Sequence, residues 1–338
     1  MEQTVSISNE VSREKGIPGS TLKIIAIITM FIDHIGAVVL EGKLSDLGMA
    51  QAMQTQEGLQ EFMAQYGVLY LMDMIMRLIG RMGFPIFCFL LIEGFIHTRS
   101  RLKYGRNLLL FALISEVPFD LAITRGMGDV PKIGGVLYPY YQNVFFTLFI
   151  GLLCMCGYEF VSRHAEEFRK NIGTKVLAWV VRITGIVLPA VVIRAMILNY
   201  IGEVPDRICW SVGILVPVLL YAAVFISKNG VASYQVLCTD VTILALGMLV
   251  ADLLHTDYSA LGILTITFMY AFRKNHVKSV LAGCIALTVF NSIEITSFFT
   301  LIPVKKYNGE RGLSMKYFFY AFYPVHLFLL YLISRYVV

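Results

Sequence analysis

Two histidines lie deep inside apolar runs: His34 in "LKIIAIITMFIDHIGAVVL" (22–40) and His326 in "FYAFYPVHLFLLYLI" (319–333). A neutral imidazole held away from water is a general base, able to take a proton from an attacking amine or hydroxyl. Lys23 precedes His34 by eleven residues, and at 100° per residue that is about 1,100°, three turns plus about 20°. The two side chains therefore share one helix face, roughly 16 Å apart along the axis, with Ile27 and Met30 between them. With Lys23 at the rim of a hydrocarbon core about 30 Å thick, His34 lies near its middle. A cation at the rim in line with a buried ring suits an elongated ligand with an anionic head and a reactive tail. Asp33 points about 100° away from His34 around the helix and needs its partner on another segment. A charge at mid-bilayer costs about 2.5–3.5 kcal/mol, so such residues face a protein interior or a water-filled cavity.

Other polar residues share this habit. Arg77 and Arg81 stand i,i+4 on one face and repel each other unless an anion, Asp33 or a substrate, balances them. Glu93 and His97, and Glu116 and Asp120, have the same spacing; Asn291 and Glu294 are three apart. Tyr323 precedes His326 by three residues, with Pro324 loosening the helix between them. His34, Asp33, His326 and Tyr323 form the candidate catalytic set, and Arg77, Arg81, Glu116, Asp120, Asn143 and Glu294 the candidate acceptor set. Tyr323, Asn143 and His326 are all possible oxyanion donors, and the sequence does not choose among them. The competing explanation is that these groups only fasten helices together. The six cysteines fall almost entirely in apolar runs, without the spacing of a zinc site, so no metal is expected.

The elements that must carry these residues follow from composition. Of 338 residues, 57% are hydrophobic and 15% charged, with mean hydropathy +0.70; soluble domains carry about 25% charged residues. The reading is one all-α polytopic membrane domain over 1–338, with ten transmembrane segments: 22–40, 68–97, 105–123, 142–161, 176–199, 208–226, 235–254, 258–272, 279–301 and 314–336. The second is too long for one crossing and is expected to begin as an interfacial helix and enter the bilayer near Phe84–Pro85. The first is too long for a signal h-region and lacks a cleavage site. Arg13 and Lys15, then Arg99, Arg101, Lys103 and Arg106, then Arg163, Arg169, Lys170 and Lys175, then Arg273, Lys274 and Lys278 all fall on one side of this scheme. By the positive-inside rule that side is the cytoplasm, with residues 1–21 and both termini inside and 41–66 outside as a surface helix. "PVKKYNGERG" is the exception, with its charges outside. The net charge of +5 marks topology rather than nucleic-acid binding.

The stretches "FIDHIG", "IGRMGFPIFCFLLIEGFIHTRSRLKYGRNLLLFALISEVPFDLA", "QNVFFTL", "DYSALGIL" and "YNGERG…KYFFYAFYPVHLFLLYLI" resemble the TraX family in order and spacing; residues 160–250 add little to the likeness. That family is named for a conjugation protein that acetylates a pilin N-terminus and belongs to a wider set of membrane acyltransferases. The resemblance implies cytosolic acetyl-CoA as donor, a bacterial inner-membrane location, and an acceptor that is a pilin-like peptide, a protein N-terminus or a glycan. It aligns Lys23 and His34 with the basic residue and histidine of the first span in sugar O-acetylases, with lysine where arginine is common. Arg99, Arg101, Lys103 and Arg106, with Glu93 and His97 beside them, are then candidates for the CoA side. Direct transfer and an acyl-histidine route are both open, direct transfer being simpler. The alternative function is a proton-coupled transporter using Asp33, His34, Glu93 and His326 as a relay. Such a transporter is expected to show internal repeats, and the motif spacing has none.

Overall fold

The computed structural model describes residues 16–127, 130–170, 176–226, 230–314 and 316–337. Arg13, Lys15 and Lys175, assigned above to the cationic side, lie outside them. The regular elements among the described residues are helices: α1 (Gly19–His34), continued by a π-helical segment (Ile35–Leu40) and α2 (Glu41–Asp46); α3 (Met49–Ala52), α4 (Gln56–Gly80), α5 (Gly83–His97) and α6 (Arg101–Ile123); α7 (Val144–Arg163), α8 (Ala165–Lys170), α9 (Val176–Tyr200), α10 (Asp206–Ile226) and α11 (Gly230–Leu253); α12 (Ser259–Ala271), α13 (His276–Phe290), a 3₁₀ segment (Ser292–Thr300), α14 (Leu301–Lys305) and α15 (Lys316–Tyr336). Seven stretches are long and apolar enough to cross a bilayer: Gly19–Asp46, Gln56–His97, Val144–Arg163, Ala178–Tyr200, Asp206–Val224, Tyr234–Leu253 and Tyr317–Tyr336. This is a multi-pass, all-helical membrane architecture. Large apolar side chains such as Val68, Ile183, Leu219 and Val289 are exposed on its outside, as a surface facing lipid requires.

The core joins α1, α5, α7, α11, α12 and α13 through Leu22, Phe89, Ile92, Leu152, Ile263, Met269 and Leu287. Small residues let these helices approach closely: a Cβ on Gly151 would strike Ile266, and one on Gly247 would strike the Cys154 sulfur.

Side-chain contacts fix the direction of each passage. Take as basal the end holding Gly19, and as apical the end holding Asp46. Helix α4 runs back along α1, with Arg77 meeting Glu41 and Asp33, and α5 continues to the basal end. Helices α6 and α7 are antiparallel: Arg101 meets Glu159 basally, and Asn143 at the start of α7 meets Ala112 halfway along α6. Helices α9, α10 and α11 alternate, as Arg194–Asp206, Arg182–Gln235 and Tyr221–Gly185 show. Helix α12 returns basally beside α7.

Two sequence-based expectations need correction here. Segment 279–301 is not a span. Helix α13 starts basally, where His276 faces Glu93, and stops at Asn291, whose side chain accepts from Ile293 N and restarts the chain as a 3₁₀ turn. Glu294 reaches Arg81 at mid-depth; the chain then climbs back through α14 to Tyr307, which donates to Glu93 again. This is a helical hairpin with both ends basal. In addition, α15 runs parallel to α1: Lys23 lies over Phe319, His34 meets His326, and Gly42 packs on Ser334. Helix α13 and the stretch that follows it therefore begin and end at the basal end, so the single crossing expected over 279–301 is absent. Seven stretches among the described residues are long and apolar enough to cross. Among the described residues α1 starts and α15 ends at opposite ends of the bundle, which departs from the expectation of two ends on one side.

The long second segment divides in two at Arg81–Met82, between Gly80 and Gly83, just before Phe84–Pro85. The basal end of α1 is capped by the "YNGERG" loop: Gly19 N and Ser20 N donate to the carbonyls of Glu310 and Arg311 (2.7 and 3.0 Å).

Candidate active site

Interrupted elements converge at the level of Asp33 and His34: the α4–α5 break, the hairpin tip, the start of α7, and the turn before α12. Irregular backbone at bilayer depth persists only where it is buried in protein or lines a cavity. Asp33 lies at the hub. Its Oδ2 accepts from Arg77 Nη1 (2.7 Å) and its Oδ1 from Arg81 Nη2 (2.8 Å). Arg81 also donates from Nη1 to Glu294 (3.1 Å) and from Nε to the Arg77 carbonyl (3.0 Å), closing the C-terminus of α4. Arg77 reaches Glu41 at 3.3 Å. The planar fork of arginine suits such shared recognition. The two arginines therefore meet carboxylates of the protein itself. Gly80 is needed beside them, since a Cβ there would run into the Asp33 carboxylate.

His34 leaves this hub in the other direction. Its Nδ1 lies 2.6 Å from His326 Nε2, and His326 Nδ1 lies 2.7 Å from the Phe322 carbonyl. A carbonyl only accepts, so with both rings neutral His326 Nδ1 carries a proton and its Nε2 accepts. His34 Nδ1 must then donate, and His34 Nε2 keeps the free lone pair. That nitrogen has no hydrogen-bond partner among the described residues. The rings stack at 4.9 Å, and Tyr323 stands edge-on to His34 at 5.9 Å. The π-helical segment begins immediately after His34, as π-bulges often do at functional positions.

From the apical side two loops dip to the same level. Gln142 N donates to His255 O and Asp257 N to Gln142 O, stitching residues 138–143 to 254–258. Tyr141 Oη donates to Asp257 Oδ1 (2.9 Å), and Thr147 Oγ1 donates to the Asp257 carbonyl. Tyr258 caps α12 with φ +62° and stacks on Phe84 at 3.7 Å. Sequence reasoning did not single out Asp257, Tyr258, Tyr141 or Glu41. The first two stand in "DYSALGIL", one of the stretches that carry the family resemblance.

The remaining candidates lie elsewhere. Asn143 Nδ2 bonds Ala112 O (2.8 Å) and Glu116, while its Oδ1 caps α7 through Phe145 N (3.1 Å). Asp120 accepts from Tyr138 N at 2.8 Å. Glu116, Asp120 and Asn143 thus anchor the 130–143 loop to α6, outside the arginine hub. At the basal end Lys23 Nζ stands 5.4 Å over Phe319. Arg101 is committed to Glu159 (2.6 Å) and stacks on Phe95 (4.5 Å). Arg99, Lys103 and Arg106 are exposed. Glu93 gathers His97 (3.9 Å), His276 (3.7 Å) and Tyr307 (3.1 Å), joining α5 to the hairpin. The hairpin also brings Lys305, Lys306 and Arg311 to this end, opposite to the side that ten crossings require.

Comparison with known proteins adds a lineage to this geometry. The family model described as TraX protein matches residues 18–199 and 190–334, including the 160–250 stretch that shows little likeness by eye. Among curated proteins, one named "Probable fimbrial assembly protein FimC, serogroup H1", from Dichelobacter nodosus, is 28% identical over 145 residues. That match covers 43% of this chain and about half, 48%, of the relative. No solved structure matches.

Proposed function

Because this chain belongs to the TraX family, we propose that it is a membrane acyltransferase that moves an acetyl group from cytosolic acetyl-CoA to an amine or hydroxyl presented from the far side of the membrane. The observation that carries this reading is the hydrogen-bonded pair of histidines at mid-depth, which leaves one unshared basic nitrogen, His34 Nε2, beside a carboxylate–guanidinium hub.

Orientation follows from charge. Lys23, Arg99, Arg101, Lys103, Arg106, Arg163, Arg273, Lys274, Lys278, Lys305, Lys306 and Arg311 are basal; Lys43, Arg125, Lys132, Arg207 and Arg335 are apical. The basal end is the cytoplasmic one. The hairpin brings "PVKKYNGERG" to that end, so its lysines obey the rule. The membrane is the cytoplasmic membrane of a bacterium, in keeping with the family resemblance.

In the reaction the acceptor nitrogen or oxygen attacks the thioester carbonyl, and its proton passes to His34 Nε2. His326 holds the His34 ring by accepting from Nδ1 and shares the charge that develops there. The C–S bond then breaks, and the His34 proton leaves with the CoA sulfur. Lys23, in line with His34 on α1 and backed by Arg311, holds the anionic head of the donor at the basal rim. Arg101 is saturated by Glu159, so Arg99, Lys103 and Arg106 are the better supplementary contacts. The name of the relative, a fimbrial assembly protein, supports an acceptor among surface-fibre subunits.

The test is acetyl transfer and CoA-induced thermal stabilisation of purified protein. His34→Ala should lose transfer by about 10²–10⁴-fold, the usual range for a general base, yet still be stabilised by CoA. Lys23→Ala should lose the stabilisation. Unchanged turnover by folded His34→Ala refutes the assignment. Substrate-driven proton flux with no response to CoA points to a transporter instead.

A further inference from the structure

The turn that leads into α12 holds three non-glycine residues in the left-handed region within five positions: His255 (φ +50°), Tyr258 (φ +62°) and Ser259 (φ +41°). Each costs of order 1–3 kcal/mol and persists only where its surroundings over-determine it. They do so here. Thr256 N bonds Ala251 O, His255 N bonds Asp252 O, Ser259 N bonds Thr256 O, and Ser259 Oγ bonds Asp252 Oδ1 at 2.8 Å. The bridge to Gln142 fixes the turn from the other side. The result is a tyrosine ring lying flat on Phe84, 3.7 Å between centroids and 6° between planes. The stack sets the ring beside the α4–α5 break, within electrostatic reach of Arg81, Glu294, Asp257 and Asp33. No described residue accepts a hydrogen bond from the Tyr258 hydroxyl.

Three of the other donors at this depth are already engaged, and Tyr323, edge-on to His34 at 5.9 Å, is held by packing. Asn143 spends its amide on Ala112 and Glu116. His326 donates to the Phe322 carbonyl. Tyr141 donates to Asp257. Tyr323 is packed among Val144, Phe145 and Leu327. An acyl transfer still needs a donor aimed at the charge that develops on the carbonyl oxygen, and preorganised donors of this kind contribute most in water-poor sites.

We propose that Tyr258 is a catalytic residue of the acyl transfer, its phenol donating the hydrogen bond that holds the thioester oxygen as the acceptor attacks. The inference rests on the acyltransferase reading. As the carbon–nitrogen or carbon–oxygen bond forms, the carbonyl π pair moves onto oxygen and is met by the Tyr258 O–H. When the C–S bond breaks, that pair returns and the hydrogen bond relaxes. The phenol keeps its proton throughout, while the acceptor proton travels by His34 to the CoA sulfur.

The decisive variant is Tyr258→Phe, which keeps the ring, the stack on Phe84 and the backbone, and removes one hydroxyl. CoA release from acetyl-CoA is followed in proteoliposomes with either a synthetic peptide bearing a free amino terminus or an alkyl glucoside as acceptor. The expected result is a kcat lowered about 10²–10³-fold, the effect of losing one oxyanion donor, with KM for acetyl-CoA and Tm unchanged. A kcat within twofold of wild type, while His34→Ala is inactive, overturns the role of Tyr258 and leaves the acyltransferase reading standing. A loss that comes with an equal fall in Tm, or with loss of CoA-induced stabilisation, reduces Tyr258 to a structural part. No CoA release by the unmodified protein with either acceptor overturns both readings.

Discussion

Arg81 joins three elements in a way that no other cation among the described residues does. It ties α1 to the hairpin tip through Asp33 and Glu294 and closes α4 on the Arg77 carbonyl. Its side chain is 13% exposed and that of Glu294 2%, whereas Arg77 is 28% exposed and its second partner Glu41 40%. Breaking a buried pair strands the remaining charge and costs about 3–5 kcal/mol; a half-exposed pair is worth about 0–1 kcal/mol. Arg81→Met is therefore expected to lower the apparent Tm in detergent far more than Arg77→Met, because it strands the buried Glu294 and leaves Asp33 with Arg77 alone. Equal losses in the two variants would mean that Asp33, not Arg81, anchors the hub, and that the hairpin is held by its apolar contacts alone.

At the scale of elements, the loop after α14 acts as the N-terminal cap of α1. Orphan N–H groups at a helix start need acceptors, and Pro18 offers no side-chain acceptor; the carbonyls of Glu310 and Arg311 substitute. Gly312 (φ +68°) makes this approach feasible, and a Cβ there would strike Ser20 Oγ and crowd Pro18 at 2.8 Å. Gly309 (φ +78°) has open space around it. Gly309→Ala should cost about 1–2 kcal/mol for the backbone alone. Gly312→Ala should cost more and should expose Arg311 to trypsin in inside-out vesicles. Equal stability of the two variants would remove the cap from the account of why α1 holds its register. The sequence made the shared face of Lys23 and His34 legible, because 3.6-residue periodicity survives burial, and both residues do meet α15. It hid the hairpin, because two half-helices joined at Asn291 have the hydropathy of one span. Asp257 and Tyr258 were hidden for another reason: Asp257 meets Tyr141 across 116 residues, and no local pattern encodes such a contact.

At the scale of the molecule, a bundle in which α1 and α15 run parallel differs from the ten-crossing scheme in a way that labelling can read. Ten crossings put "PVKKYNGERG" outside and the C-terminus inside. The parallel pairing of α1 with α15, set by Lys23–Phe319, His34–His326 and Gly42–Ser334, requires the reverse. It also explains why the two histidines can meet at all: antiparallel helices joined at Lys23–Phe319 would carry His326 away from His34. Single cysteines at Leu313 and Val337, 68% and 78% exposed, test this against a background in which five of six native cysteines are buried. In intact cells an impermeant maleimide should label Val337→Cys at once and Leu313→Cys only after permeabilisation. The opposite pattern would restore ten crossings, and with them an antiparallel α15 that could not bring His326 to the base.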